Sequence, residues 1–349
     1  MQCTLGLLAG LGVLVLGKRV LRGAAERRSR RRRTRWLSAI GSGAVPDMHM
    51  SELRSLAREA ARRAAAQEDL LALLSAGSLP PRDGRREPFE RALWRGGLRR
   101  ALRSALRSRR AVARGRAALL LARLGFAGCE ATIAPLIADR DPDVRAAATH
   151  ALSCCGSEEA AWALLQGLRD GDLDPGRAVE RLTAEWAVRP LLGALHDPAF
   201  APVRPWIGEA LGLTEDPRAE EPLVRRLTRG EEEERIRAAR ALGRLGRVSS
   251  AAALIAALSD ESPPVRAQAA RALGTLREAR SVPALVALMD DLSWWVRGRA
   301  AEALLAVGPA GVEALRTCAE SHPDAFARER AAEALALEPA GAAAEVEAA

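Results

Sequence analysis

Three stretches of the sequence decide the fold: ERIRAARALGRLG at 234–246, PVRAQAARALGTL at 264–276 and WVRGRAAEALLAVG at 295–308. Each has an arginine near its start and a leucine two helical turns later, and the pattern returns with a 31-residue period. Alanine, leucine and arginine are strong helix formers, so each stretch is predicted to be a helix. A fixed period of this length indicates a stack of similar supersecondary units.

The same register extends in both directions along the chain. The recurring arginines, called here the repeat arginines, are Arg114, Arg145, Arg204, Arg235, Arg266, Arg297 and Arg328. The 31-residue period holds throughout except between Arg145 and Arg204, where a longer gap contains a shortened unit around 177–182. A second apolar pattern precedes the arginine helices, as in LIAALSD at 254–260 and LVALMDD at 285–291. Each unit is therefore predicted to be a pair of helices, and the array a helical solenoid.

Cap residues mark the ends of the predicted helices. Four glycines stand at equivalent positions soon after the repeated leucine, where a left-handed C-cap is favoured: Gly125, Gly156, Gly246 and Gly308. Glu215 and Arg277 occupy this position in two other units. Pairs such as Asp141-Pro142 and Ser262-Pro263 precede the arginine helices and supply an N-cap with a proline in the first turn.

These units resemble HEAT repeats, in particular the short, alanine-rich kind first noted in phycobilin lyases, with the pattern (D/S)-P-x-V-R-x-x-A-A-x-A-L-G. The resemblance covers about Arg110–Leu337, two thirds of the chain. It implies an all-α fold, a right-handed α-solenoid of about seven to eight helix pairs whose second helices line a concave surface. It also implies that the repeat arginines pair with aspartates of neighbouring units as a structural ladder.

Composition and motifs argue against catalysis. Seven Trp, four Phe and no Tyr disfavour a β-sandwich or barrel. The chain has no Walker loop, no G-x-S-x-G elbow and no dinucleotide fingerprint. It also lacks a His-Glu dipeptide, which the diiron hydroxylases built on HEAT repeats carry. We therefore predict a protein that is not an enzyme and has no cofactor, with a bilin-lyase-like or other enzyme-accessory role as the alternative.

One group of residues has the chemistry of a soft-metal site. His150, Cys154 and Cys155 lie at positions i, i+4 and i+5 near the end of a predicted helix. No fourth ligand is evident and Gly156 follows at once as a cap. Cysteines that pack as small apolar residues are the simpler interpretation, so no metal site is predicted. The five cysteines show no paired spacing, which excludes a disulfide framework.

The N-terminal stretch TLGLLAGLGVLVLG at 4–17 carries no charge. With its flanks it reaches about 20 residues, enough for one membrane-spanning helix. A signal peptide has positive charge before its apolar core, whereas here ten basic residues follow it. We predict a transmembrane anchor at 1–22, with a signal peptide or a peripheral or buried segment as alternatives. By the positive-inside rule the N-terminus lies outside and the solenoid in the cytoplasm, as in the bacterial membrane-anchored HEAT-repeat proteins that this chain resembles.

Charge is divided unevenly along the chain. Residues 1–121 hold 27 basic and 9 acidic residues, whereas residues 122–349 hold 26 basic and 35 acidic ones. The basic excess is densest at 18–36, KRVLRGAAERRSRRRRTRW, and beside a span such a run binds anionic lipid headgroups. The predicted membrane-surface residues are Lys18, Arg19, Arg22, Arg30, Arg31, Arg32 and Arg33. Nucleic-acid binding through this arginine-rich third is a second alternative, although the part predicted to fold as repeats is acidic.

The remaining segments complete the predicted organisation. Residues 23–46 are predicted as a polybasic juxtamembrane linker, 47–109 as an amphipathic helical cap, 110–337 as the solenoid and 338–349 as a disordered tail. Within the cap, residues 88–108 carry an arginine every four positions beside leucines, a face that lies on the membrane or covers the first repeat. Gly96-Gly97 weakens this segment as one continuous helix.

Trp294 and Trp295 are the candidate partner-binding residues. They occupy a loop where other units have Ser-Pro-Pro or Asp-Pro-Asp, and tryptophan is enriched in binding hot spots. The alternative is that one of them packs between repeats and the other covers a loop. Taken with the predicted anchor, the repeats predict a membrane-anchored cytoplasmic scaffold that binds a protein partner.

Overall fold

The computed structural model of the chain describes residues 24–38, 46–75, 91–93, 95–126 and 128–337. Helices, turns and loops make up these residues, and no strand occurs among them, so the all-α prediction is confirmed for these residues. Within the same ranges no helix is long and apolar enough to cross a membrane. The predicted anchor at 1–22 and the predicted tail at 338–349 lie outside the described residues. The chain divides into two compact units, Met1–Cys155 and Gly156–Ala349.

The first unit opens with a helix where the sequence predicts a linker. The first helices described in it are α1 (24–38), α2 (Pro46–Arg62) and α3 (Ala64–Ser75). Trp36 of α1 is fully buried. Asp69 of α3, itself buried, accepts hydrogen bonds from Ser29 and from Arg32. These contacts explain why the basic run does not form a linker here: residues 24–38 have a packed side in addition to their charges.

The segment that follows contains the arginine-rich helix predicted before the repeats. The helices here are α4 (Leu98–Ala105), α5 (Ala111–Leu124), α6 (Glu130–Ile133, continued by a 3₁₀ turn at Ala134–Ala138) and α7 (Pro142–Cys155). Gly97 is left-handed, with φ 76°, and sets the start of α4. Leu98 and Leu102 are fully buried where α4 packs against α2 and α5. Arg103 and Arg107 are exposed, so the leucine side of this helix faces the protein interior.

The second unit is a series of helix pairs. Its described helices are α8 (Glu158–Arg169), α9 (Pro175–Arg181), α10 (Glu185–His196), α11 (Arg204–Leu211), α12 (Glu220–Arg229), α13 (Glu232–Leu245), α14 (Ala251–Ala257), α15 (Pro263–Leu276), α16 (Val282–Ala287), α17 (Trp294–Val307), α18 (Pro309–Ser321) and α19 (Ala325–Ala336). The second helices of successive pairs, α11, α13, α15 and α17, pack directly against one another. The shortened unit predicted around 177–182 corresponds to the short helix α9.

Successive second helices approach each other through glycine and alanine. A Cβ atom at Gly243 would lie 2.9 Å from the Cα atom of Ala272 on the next second helix. One repeat further on, a Cβ atom at Gly274 would lie 2.9 Å from the Cα atom of Ala303. Such distances are shorter than carbon–carbon contacts in packed proteins. Glycine therefore permits this spacing, and Gly243 and Gly274 are the glycines that end the A-L-G of the repeat pattern.

The left-handed C-cap recurs even where glycine is absent. Gly125 and Gly246 have φ values of 68° and 71° after α5 and α13. Glu215 and Arg277 also have positive φ values, 57° and 51°, although a side chain in this conformation costs about 1–2 kcal/mol. Gly308 has φ 100° and ψ −149°, a different conformation that also favours glycine.

Candidate functional site

Three repeat arginines form bidentate ion pairs with aspartates that end the first helix of the next pair. The pairs are Arg114–Asp139, Arg235–Asp260 and Arg266–Asp291, with N···O distances between 2.6 and 2.9 Å. Two parallel hydrogen bonds between guanidinium and carboxylate give strength and a fixed orientation. The hydrogen bonds with Arg114 lower the pKa of Asp139, and those with Asp139 raise the pKa of Arg114.

Each of these aspartates also organises the helix that follows it. Asp291 Oδ1 accepts the backbone N–H of Ser293 at 2.8 Å, and the Asp291 carbonyl oxygen accepts from Arg297 Nη1 at 2.8 Å. Asp260 makes the equivalent bonds, and its carbonyl oxygen accepts from Arg266 Nη1 at 2.8 Å. One aspartate thus joins the arginine of the preceding unit to the arginine of its own unit. We call this chain of contacts the arginine–aspartate ladder.

Two other repeat arginines have different partners. For Arg204, the position of the ladder aspartate is occupied by another arginine, Arg229. The Nη1 atom of Arg204 instead lies 3.9 Å from a carboxylate oxygen of Glu234. Arg145 donates from Nη1 to the carbonyl oxygen of Asp139 at 2.9 Å. Arg145 thus keeps the ladder contact within its own unit, whereas Arg204 has a single, longer contact in place of the bidentate pair.

The ladder ends at His322, which occupies the aspartate position that follows Arg297. His322 Nδ1 accepts the backbone N–H of Asp324 at 3.2 Å, the bond that the ladder aspartates make with Oδ1. Arg297 instead lies over the ring of Phe326, 5.7 Å from its centroid. Arg328 donates from Nη1 to the His322 carbonyl oxygen at 2.6 Å. The histidine keeps the hydrogen bond to the N-cap residue of the next helix but not the ion pair.

Large apolar side chains are exposed where the last second helices begin. Trp294 and Trp295 open α17 and are 68% and 36% exposed, and the preceding Leu292 is fully exposed. Phe326, one repeat period after Trp295, lies near the start of α19 and is 65% exposed. We call Leu292, Trp294, Trp295 and Phe326 the apolar edge. The sequence pointed to the two tryptophans, and the repeat period relates Phe326 to Trp295.

The predicted membrane-surface residues are only partly described. Lys18, Arg19 and Arg22 lie outside the described residues. Arg30 and Arg31 are exposed on α1. Arg32 and Arg33 lie 2.5 and 3.3 Å from Asp69 carboxylate oxygens, and the Arg32 side chain is largely buried. Arg32 is therefore committed to an internal ion pair.

The cysteines group differently from the sequence pattern. Cys155 lies 3.6 Å, sulfur to sulfur, from Cys129, which is buried. A carboxylate oxygen of Glu130 and these two sulfur atoms lie within 4.8 Å of one another. Cys154 instead contacts His150 Nε2 at 3.8 Å. The hydrogen bond between Cys129 and Cys155 lowers the pKa of the first thiol and raises that of the second.

Helix pairs that recur at a fixed period and an arginine–aspartate ladder define the class of short-repeat α-solenoids. A family model described as HEAT repeats matches residues 100–187, 220–305 and 251–336, more than half of the chain. The protein belongs to the HEAT-repeat family, and the resemblance stated above is confirmed. No curated protein matches the chain by sequence.

Several solved structures are similar to this chain at low sequence identity. Importin beta is 16% identical with a TM-score of 0.48, and the match covers 78% of this chain and 45% of importin beta. Human deoxyhypusine hydroxylase in complex with glycerol is 21% identical with a TM-score of 0.30, over 82% of this chain and 96% of that one. Computationally designed armadillo repeat proteins for modular peptide recognition are 19% identical with a TM-score of 0.33, over 59% and 98%.

Proposed function

We propose that this protein is a membrane-anchored cytoplasmic scaffold that binds a protein partner and catalyses no reaction. The apolar edge carries the proposal. The inner side of α17 is filled without the tryptophans, because Val296, Ala300 and Leu304 are fully buried. Trp294 is thus not required by the core, and grouped exposed apolar side chains mark interaction sites.

The expected contribution of the edge to binding is large. A tryptophan offers about 150–250 Å² of contact area when it is covered. Tryptophans at the centre of an interface cost about 2 kcal/mol or more when truncated to alanine. Loss of both side chains should therefore weaken partner binding by at least about thirtyfold.

Affinity purification from detergent-solubilised membranes tests the partner proposal. The wild-type chain should recover one protein in stoichiometric amount, and the W294A/W295A variant should lose it. The control variant L213A/V248A removes two other exposed apolar side chains of the same unit and should retain the partner. Circular dichroism should show both variants folded. Absence of any reproducible partner would overturn the scaffold proposal, and a bound pigment or metal or a small-molecule turnover by the purified protein would favour an enzyme-accessory role.

Residues 1–22, outside the described part of the chain, supply the proposed anchor. The uncharged stretch 4–17 followed by the basic run 18–36 supports this assignment. Deletion of residues 1–22 should move the protein from the carbonate-resistant membrane fraction to the soluble fraction. A protease added to intact spheroplasts should leave the repeats uncut. Cleavage of the repeats from outside, or membrane retention of the deletion variant, would contradict the proposed topology.

A further inference from the structure

A groove lined by arginine crosses the second helices α13, α15 and α17. Two adjoining cavities of about 460 and 380 Å³ share Arg271 and Thr275 in their walls. The first is bounded by α13 and α15, the second by α15 and α17. The polar side chains that line this basic groove are Arg240, Arg244, Gln268, Arg271, Thr275, Arg277, Arg299 and one acidic residue, Glu302. At the bottom of the groove the helices meet through glycine and alanine, so no large side chain fills it.

One end of the groove has more positive than negative charge. Glu209 of α11, which is buried, accepts a hydrogen bond from Arg244 Nη1 at 3.2 Å and lies 3.6 Å from Arg240 Nη1. Arg237 also binds Glu209 and is shared with Glu233. Two carboxylates thus hold three guanidinium groups. This arrangement orients Arg240 and Arg244 and leaves the site cationic.

The middle of the groove holds a cation, Arg271, and an acceptor, Gln268 Oε1, that have no partners among the described residues. Glu302 occupies the register position of Arg271 in the next unit, but it pairs with Arg299 at 2.6 Å. Across the described ranges, no acidic side chain lies within ion-pair distance of Arg271. On the same helix, Gln268 Oε1 is buried and has no hydrogen-bond partner. An unsatisfied buried acceptor costs about 1–3 kcal/mol. Gln268 lines the groove wall, so rotation of its amide toward a ligand's N–H donor would stabilise this site.

The excess positive charge and the unsatisfied acceptor decide which class of anionic ligand fits the groove. Residues 156–349 hold 23 basic and 31 acidic residues, so the groove is a cationic strip on an acidic unit. A nucleic acid would extend beyond the strip and be repelled by the surrounding carboxylates. A free phosphate ion can donate an O–H to Gln268 Oε1, but it is one compact anion, whereas the arginines of the groove stand on neighbouring helices whose axes lie about 8–10 Å apart. An acidic peptide brings carboxylates for the arginines and backbone N–H groups for the glutamine.

We propose that the basic groove binds a short acidic segment of the protein partner. One carboxylate pairs with Arg240 and Arg244, a second pairs with Arg271, and a backbone N–H of the segment donates to Gln268 Oε1. This proposal rests on the proposed function, because it gives the chemistry of the partner that the scaffold holds.

Helix spacing sets the length of the segment. Neighbouring helix axes lie about 8–10 Å apart, so α13 and α17 are separated by roughly 16–20 Å. An extended chain rises about 3.3 Å per residue, so about five or six residues cross the groove. The two carboxylates belong to residues about two to four positions apart in the segment.

Fluorescence anisotropy with defined peptides tests the proposal without the natural partner. The probe is a fluorescein-labelled decapeptide of alternating glutamate and serine, and the matched peptide has glutamine in place of glutamate. The full-length chain in detergent should bind the glutamate peptide, and the R240Q/R271Q variant should bind it about tenfold more weakly or worse. The control variant R189Q/R316Q removes the same charge from exposed arginines elsewhere in the unit and should bind as the wild type does. Any binding by the basic run 18–36 is common to both variants.

Three results would overturn the proposal: equal affinity for the glutamate and glutamine peptides, equal affinity of the wild-type and R240Q/R271Q chains, or tighter groove-dependent binding of a single-stranded DNA decamer. Affinity purification with the R240Q/R271Q and W294A/W295A variants separates this proposal from the scaffold function. If R240Q/R271Q leaves partner recovery unchanged while W294A/W295A abolishes it, the scaffold function stands and the acidic-segment proposal fails. If no partner is recovered but the peptide result holds, the scaffold function fails and the groove remains an acidic-peptide site.

Discussion

Replacement of Asp291 by alanine tests whether the arginine–aspartate ladder stabilises the second unit. The substitution removes the acceptor of two hydrogen bonds from Arg266 and the acceptor that caps Ser293 N–H. Loss of the hydrogen bond to the Ser293 N–H costs about 1 kcal/mol. The Arg266 side chain is only 16% exposed, so the loss of its charged partner costs about a further 2 kcal/mol. We expect D291A to lower the free energy of unfolding by about 3 kcal/mol.

Urea unfolding followed by tryptophan fluorescence measures this change, because five of the seven tryptophans lie in residues 156–349. Removal of both partners in R266M/D291A should recover part of the loss, since no buried charge is then left unpaired. The control E313A removes a carboxylate from the exposed Arg316–Glu313 pair and should cost less than about 0.5 kcal/mol. A cost for D291A no larger than that of E313A would refute the structural role of the ladder.

Three further predictions concern packing, caps and pH. G274A should destabilise the second unit by about 1–3 kcal/mol through its contact with Ala303, whereas G298A, with open space around its Cβ position, should stabilise it by about 0.5–1 kcal/mol in a urea titration. E215G should raise the free energy of unfolding by about 1 kcal/mol in thermal unfolding, because the backbone at this position has a φ of 57°. No change would mean that the turn is unstrained. The lowered pKa of Asp139 stabilises the fold above about pH 4, and this contribution should be lost as pH falls through the folded-state value. Circular dichroism across an acid titration should show a weaker pH dependence for D139N than for the wild type.

The regular part of the fold follows from local sequence signals. The repeat register and the cap residues point to the same helix pairs, as for α15 (Pro263–Leu276) and α17 (Trp294–Val307). The sequence also points to arginine–aspartate pairing through the family resemblance. These features were predictable because they repeat, so that each unit supports the interpretation of the next.

Features that occur once were not predictable in the same way. The basic charge of residues 24–38 gives no sign of a packed helix in the sequence. Its packing depends on Trp36 and on a carboxylate, Asp69, far along the chain. The contact between Cys129 and Cys155 arises between separate helices, whereas the sequence pattern considered neighbours on one helix. The basic groove depends on which of several arginines lacks an acidic partner, and that is a property of the three-dimensional structure.

The double role of the ladder aspartates bears on how such a chain can change in length. The carboxylates of Asp260 and Asp291 each accept hydrogen bonds from the arginine of the preceding unit and from a backbone N–H at the start of the following helix. Duplication or deletion of a gene segment that encodes one whole period would therefore recreate a complete joint, whereas a partial one would leave an arginine without its acceptor. Substitution of one ladder aspartate by another residue, as at His322, is then enough to end the series of ion pairs.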